Sequence, residues 1–348
     1  MLPAPVVSVV VPTRNRCDAV VAALTGLATQ THPSFEIIVV DDGSIDDTPE
    51  ALTRFAAEHP HLAVSIIRND PAIGANPSRN RGIATARGDI VAFIDDDAVP
   101  EPAWLERLAA GLGNGAGDRI GAVTGLTLSA APRNAWERTL KGTQRVHVTR
   151  NGTATRLVGT NMAVWRTLLE QFPLDEDRAG VADDMAVSGR SDEEGLYVLL
   201  RAAGYAPRVV GDAVVHHDHP HSAGSFLRQA FRGGRSAARL VHKYRLRPRL
   251  DLLPFLLGSA TGVVALGLWL TVRRPLAAAT GVDAAWLFVV PLLFLVAGAG
   301  AIAYDDLARK RKSPWETLVT FPLLLVYYHV RLAGYVVETL RRWTGSQP

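Results

Sequence analysis

The stretch VVSVVVPTRN, residues 6–15, opens with a run of β-branched residues that Pro12 ends. A short run of this kind, stopped by a proline, is typical of a buried strand. FEIIVV at residues 35–40 is a second such run, and a pair of aspartates follows it. Residues 18–30 between the two runs carry apolar side chains at helical spacing. The three segments together predict a β-α-β unit.

The same alternation continues along the chain. The next predicted elements are a helix at 47–58, a strand at 63–67, a helix at 76–86 and a strand at 90–94. Strands that alternate with helices predict a doubly wound α/β sheet, in which ligands bind at the carboxyl ends of the strands. We therefore expect the functional site at that edge of the sheet.

Polar clusters follow the predicted strands at this edge. They are Pro12-Thr13-Arg14-Asn15, Asp41-Asp42-Gly43-Ser44, NPSRNRG at 76–82 and Asp95-Asp96-Asp97. The clusters contain no Gly-rich phosphate loop of the dinucleotide or P-loop type. Three consecutive acids repel one another unless a cation lies between them, and oxygen ligands suit Mg²⁺ or Mn²⁺ bridging a diphosphate. A solvated acidic turn is the alternative for the three aspartates taken alone.

In order and spacing, these segments resemble the nucleotide-binding half of family 2 glycosyltransferases of GT-A fold. The resemblance rests on VSVVVPTRNR, EIIVVDDGSIDDT, NPSRNRG and FIDDD, and it covers roughly residues 6–240. It implies a nucleoside-diphosphate sugar as donor, with a UDP-sugar expected, and inversion of the anomeric configuration.

The resemblance also implies donor-binding roles for single residues. Asp42 corresponds to the acid that accepts the imino proton of the base. Pro12 and Thr13 correspond to the strand end that lies against the base, and Arg79 to an arginine near the base and the diphosphate.

Metal ligands are implied in the same way. Asp95 and Asp97 match the outer acids of the D-x-D motif, with Asp97 as the expected direct ligand of Mg²⁺ or Mn²⁺ and Asp95 facing the ribose or the metal. Asp96 fills the x position of the motif, where its side chain could either bind the metal or only be solvated. His217 and His219 correspond to an H-x-H pair near the diphosphate or metal, and a polar histidine-rich loop is the alternative.

The acceptor half carries a weaker match. LVGTNMAVW at residues 157–165 resembles a short strand of the family with a G-x-N-M-A segment. Gly159, Thr160 and Asn161 would then face the donor sugar. Alternatively, Asn161 has only a structural role in a turn.

The general base is expected at the start of the helix that ends in RAAGY at 201–205. Family members carry Glu-Asp-x-Asp-Leu before this helix, and counting back from Tyr205 places Glu193 on the first Asp of that motif. Asp192 is the second candidate, and Asp183-Asp184 a weaker one. Acids at a helix start also cap the helix and complement its dipole, which is the structural alternative.

Arginines recur at 228–235, which read RQAFRGGR. Gln229 and Arg232 match part of the Q-x-x-R-W motif of processive family members, but Gly233 stands where the motif has Trp. Processive polymerisation is therefore not expected. Arg232 would suit the diphosphate leaving group or anionic lipid headgroups.

The C-terminal third is apolar. The chain is 48% hydrophobic with a mean hydropathy of +0.10, more than an ordinary soluble domain has. Residues 252–272 and 284–304 are each uncharged and long enough to cross a bilayer. The segment 314–340 has a shorter apolar run and is expected to be an interfacial or re-entrant helix. The predicted domains are a GT-A domain at 1–240 and a membrane domain at 241–348.

Basic residues predict the orientation. They lie at 243–249 and 309–312, outside the two spans, and only Arg273 and Arg274 lie between them. Because basic residues concentrate on the cytoplasmic side, both ends and the catalytic domain are expected in the cytoplasm of a multi-pass inner-membrane protein.

The combined prediction is metal-dependent, inverting sugar transfer to a lipid-linked glycan or polyprenyl-phosphate acceptor at the cytoplasmic membrane face. One alternative is a catalytically decayed membrane scaffold of the same fold. The other is a membrane nucleotidyltransferase, although its Gly-rich, Lys-bearing loop is missing at 12–17. Basic and aromatic residues are not interleaved as in nucleic-acid sites. With Cys17 as the single cysteine, an intramolecular disulfide is excluded.

Overall fold

The computed structural model divides the chain into two compact units. The first comprises the described residues of Met1–Pro132 and Gly142–His219, and the second comprises those of Arg133–Lys141 and Pro220–Ser346. The residues that the structure describes are 7–113, 119–129, 132, 134–140, 149, 152–176, 192–217, 222–245, 253–280, 284–304, 307 and 313–344.

The first unit begins with strands and helices in alternation, as predicted. The elements are β1 (Val7–Thr13), α1 (Cys17–Ala28), β2 (Phe35–Asp41), α2 (Thr48–Glu58), β3 (Ala63–Arg68), α3 (Ala75–Thr85) and β4 (Ile90–Phe93). β1 lies parallel to both β2 and β4, and β3 lies parallel to β2. The expectation of a doubly wound α/β sheet is confirmed.

Antiparallel strands extend this sheet. The further elements are β5 (Ala98–Pro100), α4 (Trp104–Leu112), β6 (Ala122–Ser129), α5 (Ala135–Leu140), β7 (Met162–Trp165), α6 (Arg166–Gln171), α7 (Asp192–Ala202) and β8 (Arg208–His217), of which α5 belongs to the second unit. The order across the sheet is β3-β2-β1-β4-β7-β6-β8-β5. β7 runs antiparallel to β4 and β6, so the complete sheet is mixed.

Apolar layers on both faces of the sheet hold the first unit together. Val9 and Val11 pack into a buried cluster with α1 and α4, whereas Val10 packs into a second cluster with α3 and α7. Successive side chains of a strand point to opposite faces, so a strand buried on both faces reads as a continuous apolar run. This explains the nearly continuous apolar run at residues 6–11.

The strand register brings the polar clusters together. Thr13 at the end of β1 lies opposite Asp41 at the end of β2, and Val10 lies opposite Phe93 of β4. The carboxyl ends of β1, β2 and β4 therefore meet at one edge of the sheet. This is the edge at which the sequence predicts the site.

The second unit is helical. Besides α5, it contains α8 (Ala223–Lys243), α9 (Leu253–Thr280), a 3₁₀ turn at Ala284–Phe288, α10 (Val289–Tyr304) and α11 (Pro314–Trp343). The predicted boundary at residue 240 differs from this division, because α8 packs with the C-terminal helices. Arg235 of α8 donates a 2.9 Å hydrogen bond to the fully buried Glu338 of α11. A buried carboxylate needs such a partner, and the pair ties α8 to α11.

In the part of the chain that the structure describes, three helices are long and apolar enough to cross a membrane. They are Leu253–Pro275, Ala284–Tyr304 and Pro314–Trp343. The first two agree with the predicted spans, and only 19% and 17% of their apolar windows are buried within the protein. Val263 and Leu293 are among the apolar side chains left exposed, as expected for lipid-facing surfaces.

The third apolar segment is a single continuous helix of 30 residues. Ser313 and Glu316 form a capping box at its N-terminus, which fixes where α11 begins. Its length and composition fit a span. The expected interfacial or re-entrant placement stays a prediction.

Glycines allow α8 and α11 to approach closely. A Cβ at Gly234 would overlap the carbonyl oxygen of Arg331, and a Cβ at Gly334 would overlap that of Phe231. Small residues at a helix crossing permit backbone contact of this kind. The α8–α11 pair therefore depends on the absence of side chains at these two positions.

Substitution of Gly334 by Ala tests this packing. We expect Gly334→Ala to destabilise the full chain by about 1–3 kcal/mol, because α8 and α11 must separate to admit the methyl group. The measurement is the apparent unfolding temperature in detergent. Gly300→Ala on α10 is the control, since a Cβ there meets no described atom within 4 Å. Equal unfolding temperatures for the two variants would contradict the packing argument.

Candidate active site

The three aspartates after β4 point to different partners. Asp95 accepts a 2.6 Å hydrogen bond from Arg79. Asp97 lies 3.1 Å from Nε2 of His217, at the end of β8. Asp96 accepts hydrogen bonds from Thr13, at 2.8 Å, and from Arg16, at 3.1 Å. The cluster is therefore an organised group of contacts rather than a solvated turn.

One side of the cluster could hold a metal ion. Asp95, Asp97 and His217 each offer one ligand atom, and these atoms all lie within 4.8 Å of one another. Two carboxylates with one imidazole suit Mn²⁺ well, and the carboxylates suit Mg²⁺. The residues present therefore fit a divalent cation. Of the predicted ligands, Asp95, Asp97 and His217 are brought together, and His219 lies outside the described residues.

Arg16 lies on the other side of the cluster. Its Nη1 contacts carboxylate oxygens of both Asp96 and Asp97. Asp96 is 6% exposed and, through Thr13 and Arg16, links the end of β4 to the end of β1. Asp96 thus organises the edge of the sheet and does not belong to the group that could hold the metal.

Burial and charge shift the pKa values of these groups in opposite directions. Burial raises the pKa of Asp96 to about 7, although the charge of Arg16 opposes the rise. Burial also acts to raise the pKa of Asp97, but His217 and Arg16 outweigh it and hold that pKa well below its usual range. Burial acts to lower the pKa of His217, and the charge of Asp97 raises it overall. Asp97 therefore stays ionised, as a metal ligand must.

Arg79 is nearly inaccessible to solvent. Only 2% of its side chain is exposed, and its guanidinium donates to Asp95 and, at 3.1 Å, to Asn76. Both partners are fixed by α3 and the end of β4. Arg79 therefore pairs with Asp95. Its expected role near the base and the diphosphate stays a prediction.

Asp42 is fully buried and accepts several internal hydrogen bonds. The backbone N–H groups of Ile73 and Gly74 donate to it at 2.7 and 2.6 Å. Asn69 and Ser78 donate to it at 2.8 and 3.0 Å. Asp42 therefore holds the segment that leads into α3, and its contact with the donor base stays a prediction.

Glu193 is held in place by the segment that carries Gly159. The N–H of Gly159 donates a 2.7 Å hydrogen bond to Oε1 of Glu193, which is 8% exposed. A Cβ at Gly159 would overlap this carboxylate. The structure thus brings together two segments that the sequence analysis assigned to the acceptor half. Asp192 begins α7, its side chain is not described, and Asp183-Asp184 lie outside the described residues.

The contacts of Asn161 favour its alternative as a turn residue. Its side chain has no exposed surface, accepts from the indole of Trp104 at 2.8 Å and donates to the carbonyl of Ala213 at 3.0 Å. Its own N–H closes a turn onto Val158. The neighbouring Thr160 hydroxyl is buried without a hydrogen-bond partner in the described part of the chain. Thr160 is therefore the more available polar group of this segment.

Two groups of the candidate site were not predicted from the sequence, the Arg16 side chain and the N–H of Gly159. Arg16 follows a predicted strand at the functional edge, and that position was the available signal for it. The N–H of Gly159 carried no such signal, because a backbone donor is invisible in sequence. Arg232 lies on α8 in the second unit, and its predicted diphosphate or headgroup contact stays a prediction.

The N-terminal part of the chain is similar to glycosyltransferase sequences. Residues 8–172 match the family model described as Glycosyl transferase family 2. The chain is 37% identical over 105 residues to glycosyltransferase AglE of Haloferax volcanii, which is 30% of this chain and 34% of AglE. It is 38% identical over 101 residues to the uncharacterized glycosyltransferase YibD of Escherichia coli, 29% of this chain and 28% of YibD. The matches span about a third of these relatives' lengths.

Comparison with solved structures supports the fold. The mannosyltransferase PcManGT from Pyrobaculum calidifontis, solved in complex with GDP-Man and Mn²⁺, matches with a TM-score of 0.59 at 21% identity. The match covers 97% of this chain and 88% of PcManGT. At this identity the likeness shows the fold alone, and it confirms the predicted GT-A class.

Asp97→Asn tests the assignment of the metal ligands. We expect the affinity of the full chain for Mn²⁺ to fall by at least tenfold, because the variant removes a ligand charge from the group. The measurement is titration of free Mn²⁺ by electron paramagnetic resonance in detergent. Asp212→Asn, at a side chain that is 69% exposed on β8, removes the same charge elsewhere and serves as control. Unchanged Mn²⁺ affinity in Asp97→Asn would refute the assignment.

Proposed function

We propose, from the match of residues 8–172 to the family model described as Glycosyl transferase family 2, that the chain transfers a sugar from a nucleoside-diphosphate sugar to a lipid-linked acceptor. The observation that carries the proposal is the cluster of Asp95, Asp97 and His217 at the carboxyl edge of the sheet. This edge is where α/β folds bind their ligands. A diphosphate is a ligand whose charge such a cation site would balance.

The donor would lie along the ends of β1, β2 and β4. Asp95, Asp97 and His217 would hold Mn²⁺ or Mg²⁺, which supplies positive charge to the departing diphosphate. Pro12 and Thr13 at the end of β1 would lie against the base, and Asp42 would accept its imino proton. A UDP-sugar is the expected donor, and a GDP-sugar is the comparison to test, since PcManGT was solved with GDP-Man.

Glu193 is the proposed general base. The acceptor hydroxyl oxygen bonds to the anomeric carbon as the bond from that carbon to the diphosphate oxygen breaks, and Glu193 takes the hydroxyl proton. A single displacement of this kind inverts the anomeric configuration. The hydrogen bond from Gly159 supports this role, because it fixes the position of the Glu193 carboxylate beside the segment expected to face the donor sugar. A base must lie within hydrogen-bond reach of the proton that it removes.

The apolar helices support a membrane-bound acceptor. Transfer to a polyprenyl-phosphate requires its phosphate oxygen, and transfer to a lipid-linked glycan requires a sugar hydroxyl, to be presented at a membrane surface. The spans in α9 and α10 would anchor the enzyme there, and the basic residues outside them favour the cytoplasmic face of the inner membrane. Arg232 of α8 would suit the phosphate groups of the leaving nucleotide or of the lipid.

A decayed scaffold of the same fold is the second candidate. The observation that favours it is the Glu at the position of the family's catalytic Asp. The ordered contact between Glu193 and Gly159 argues against decay, because a carboxylate without a role is seldom kept buried. Turnover by the wild-type chain separates the two candidates.

Glu193→Gln tests the base. We expect turnover to fall by ~10²-fold to 10⁴-fold with the donor KM near wild type, because Gln keeps an oxygen for the Gly159 N–H but accepts no proton. The measurement is nucleoside-diphosphate release under saturating donor and acceptor.

Asp192→Asn, one residue away, is the matched control. If Asp192 only complements the helix start, its loss costs about 1 kcal/mol of stability and little turnover. Collapse of turnover in Asp192→Asn with a near-normal rate in Glu193→Gln would move the base to Asp192. Near-normal rates in both variants would overturn the base assignment altogether.

A further inference from the structure

Each acid of the cluster has its own cationic partner. Arg79 pairs with Asp95, His217 pairs with Asp97, and Arg16 contacts both Asp96 and Asp97. Arg16 therefore shares Asp97 with the group that could hold the metal. A guanidinium and a divalent cation compete for the same negative charge and repel each other at this range.

The backbone of Arg16 is fixed, so only its side chain can respond. The preceding Asn15 has a left-handed backbone with φ of 52°, a conformation that asparagine tolerates. Ser44 and Ile45 hold Asn15 through hydrogen bonds of 2.9 and 2.8 Å, and the N–H of Arg16 donates to Thr48 at 3.1 Å. These hydrogen bonds from the segment after β2 hold the backbone at the start of α1 in place.

Solvent access distinguishes Arg16 from Arg79. The Arg16 side chain is 22% exposed, whereas that of Arg79 is 2% exposed. Arg79 is locked between Asp95 and Asn76. Arg16 is consequently the arginine of the cluster that can reach a ligand arriving from solvent.

We propose that Arg16 serves both the acids of the cluster and the nucleotide. Its guanidinium pairs with Asp96 and Asp97. A divalent cation bound at Asp97 would displace the guanidinium towards the diphosphate of the incoming nucleotide, for which Arg16 would be a positioning contact. The second half of this step rests on the proposed function, since it takes a nucleoside diphosphate as the ligand.

Two opposite effects follow for Arg16→Gln. The variant removes the competing charge, so the nucleotide-free protein binds Mn²⁺ about tenfold more tightly. It also removes a charge-assisted contact, so UDP or GDP binds at least tenfold more weakly in saturating Mn²⁺. A residue that only stabilises the fold would not move the two affinities in opposite directions.

The experiment measures both affinities for the full chain in detergent, with Mn²⁺ alone followed by electron paramagnetic resonance and the nucleotides by calorimetry. Arg107→Gln is the control, because Arg107 carries the same charge but pairs with Glu101 and Asp212. Arg16→Lys keeps the charge without the planar fork. It should keep wild-type Mn²⁺ affinity and lose part of the nucleotide affinity, and its unfolding temperature checks that the site is intact.

Each outcome decides the proposal. Tighter Mn²⁺ binding with weaker nucleotide binding in Arg16→Gln supports it. Unchanged or weaker Mn²⁺ binding, or unchanged nucleotide binding, overturns it while leaving the proposed function standing. A wild-type chain that binds Mn²⁺ but neither nucleotide would count against the proposed function and would overturn the nucleotide half of this proposal with it.

Discussion

Three consecutive aspartates at the end of a buried strand impose the constraint on which the site depends. Partly buried carboxylates this close together are costly unless each meets a positive charge or hydrogen-bond donors. Arg16, directly before α1, Arg79 of α3 and His217 at the end of β8 supply those partners. Three separate elements thereby contribute a partner at one edge. The same concentration of charge makes the edge suitable for a divalent cation and a diphosphate.

The acceptor side follows a different principle. Glu193 is positioned by a backbone N–H of Gly159 rather than by a charge, and the lack of a side chain at Gly159 gives the carboxylate its room. Asn161, two residues later, ties this segment to Trp104 and Ala213. The segment is therefore rigid where it meets the proposed base. Rigid support of this kind is what a base needs if it is to meet an acceptor hydroxyl at hydrogen-bond distance.

Strong local patterns explain what could be predicted. The β-branched runs predict β1 and β2, because strands buried on both faces are apolar throughout. The long uncharged stretches predict α9 and α10. Contacts between residues far apart in the sequence could not be predicted from local patterns. Arg16 is an ordinary basic residue until β4 places Asp96 and Asp97 beside it, and Asn161 is buried only because α4 lies over it. The grouping of α8 with α11 depends on Gly234 and Gly334, which admit the backbone of Arg331 and of Phe231, and the spacing of apolar residues does not predict such contacts.

The most direct test of sugar transfer is a panel of UDP-sugars and GDP-sugars added to the full chain in detergent with Mn²⁺ or Mg²⁺. The measurement is nucleoside-diphosphate release together with the shift in unfolding temperature. At least one donor should raise the unfolding temperature only when the divalent cation is present, and the same donor should release its nucleotide. A panel in which no nucleotide sugar stabilises the chain, with or without cation, would contradict a nucleotide-sugar site at this edge of the sheet.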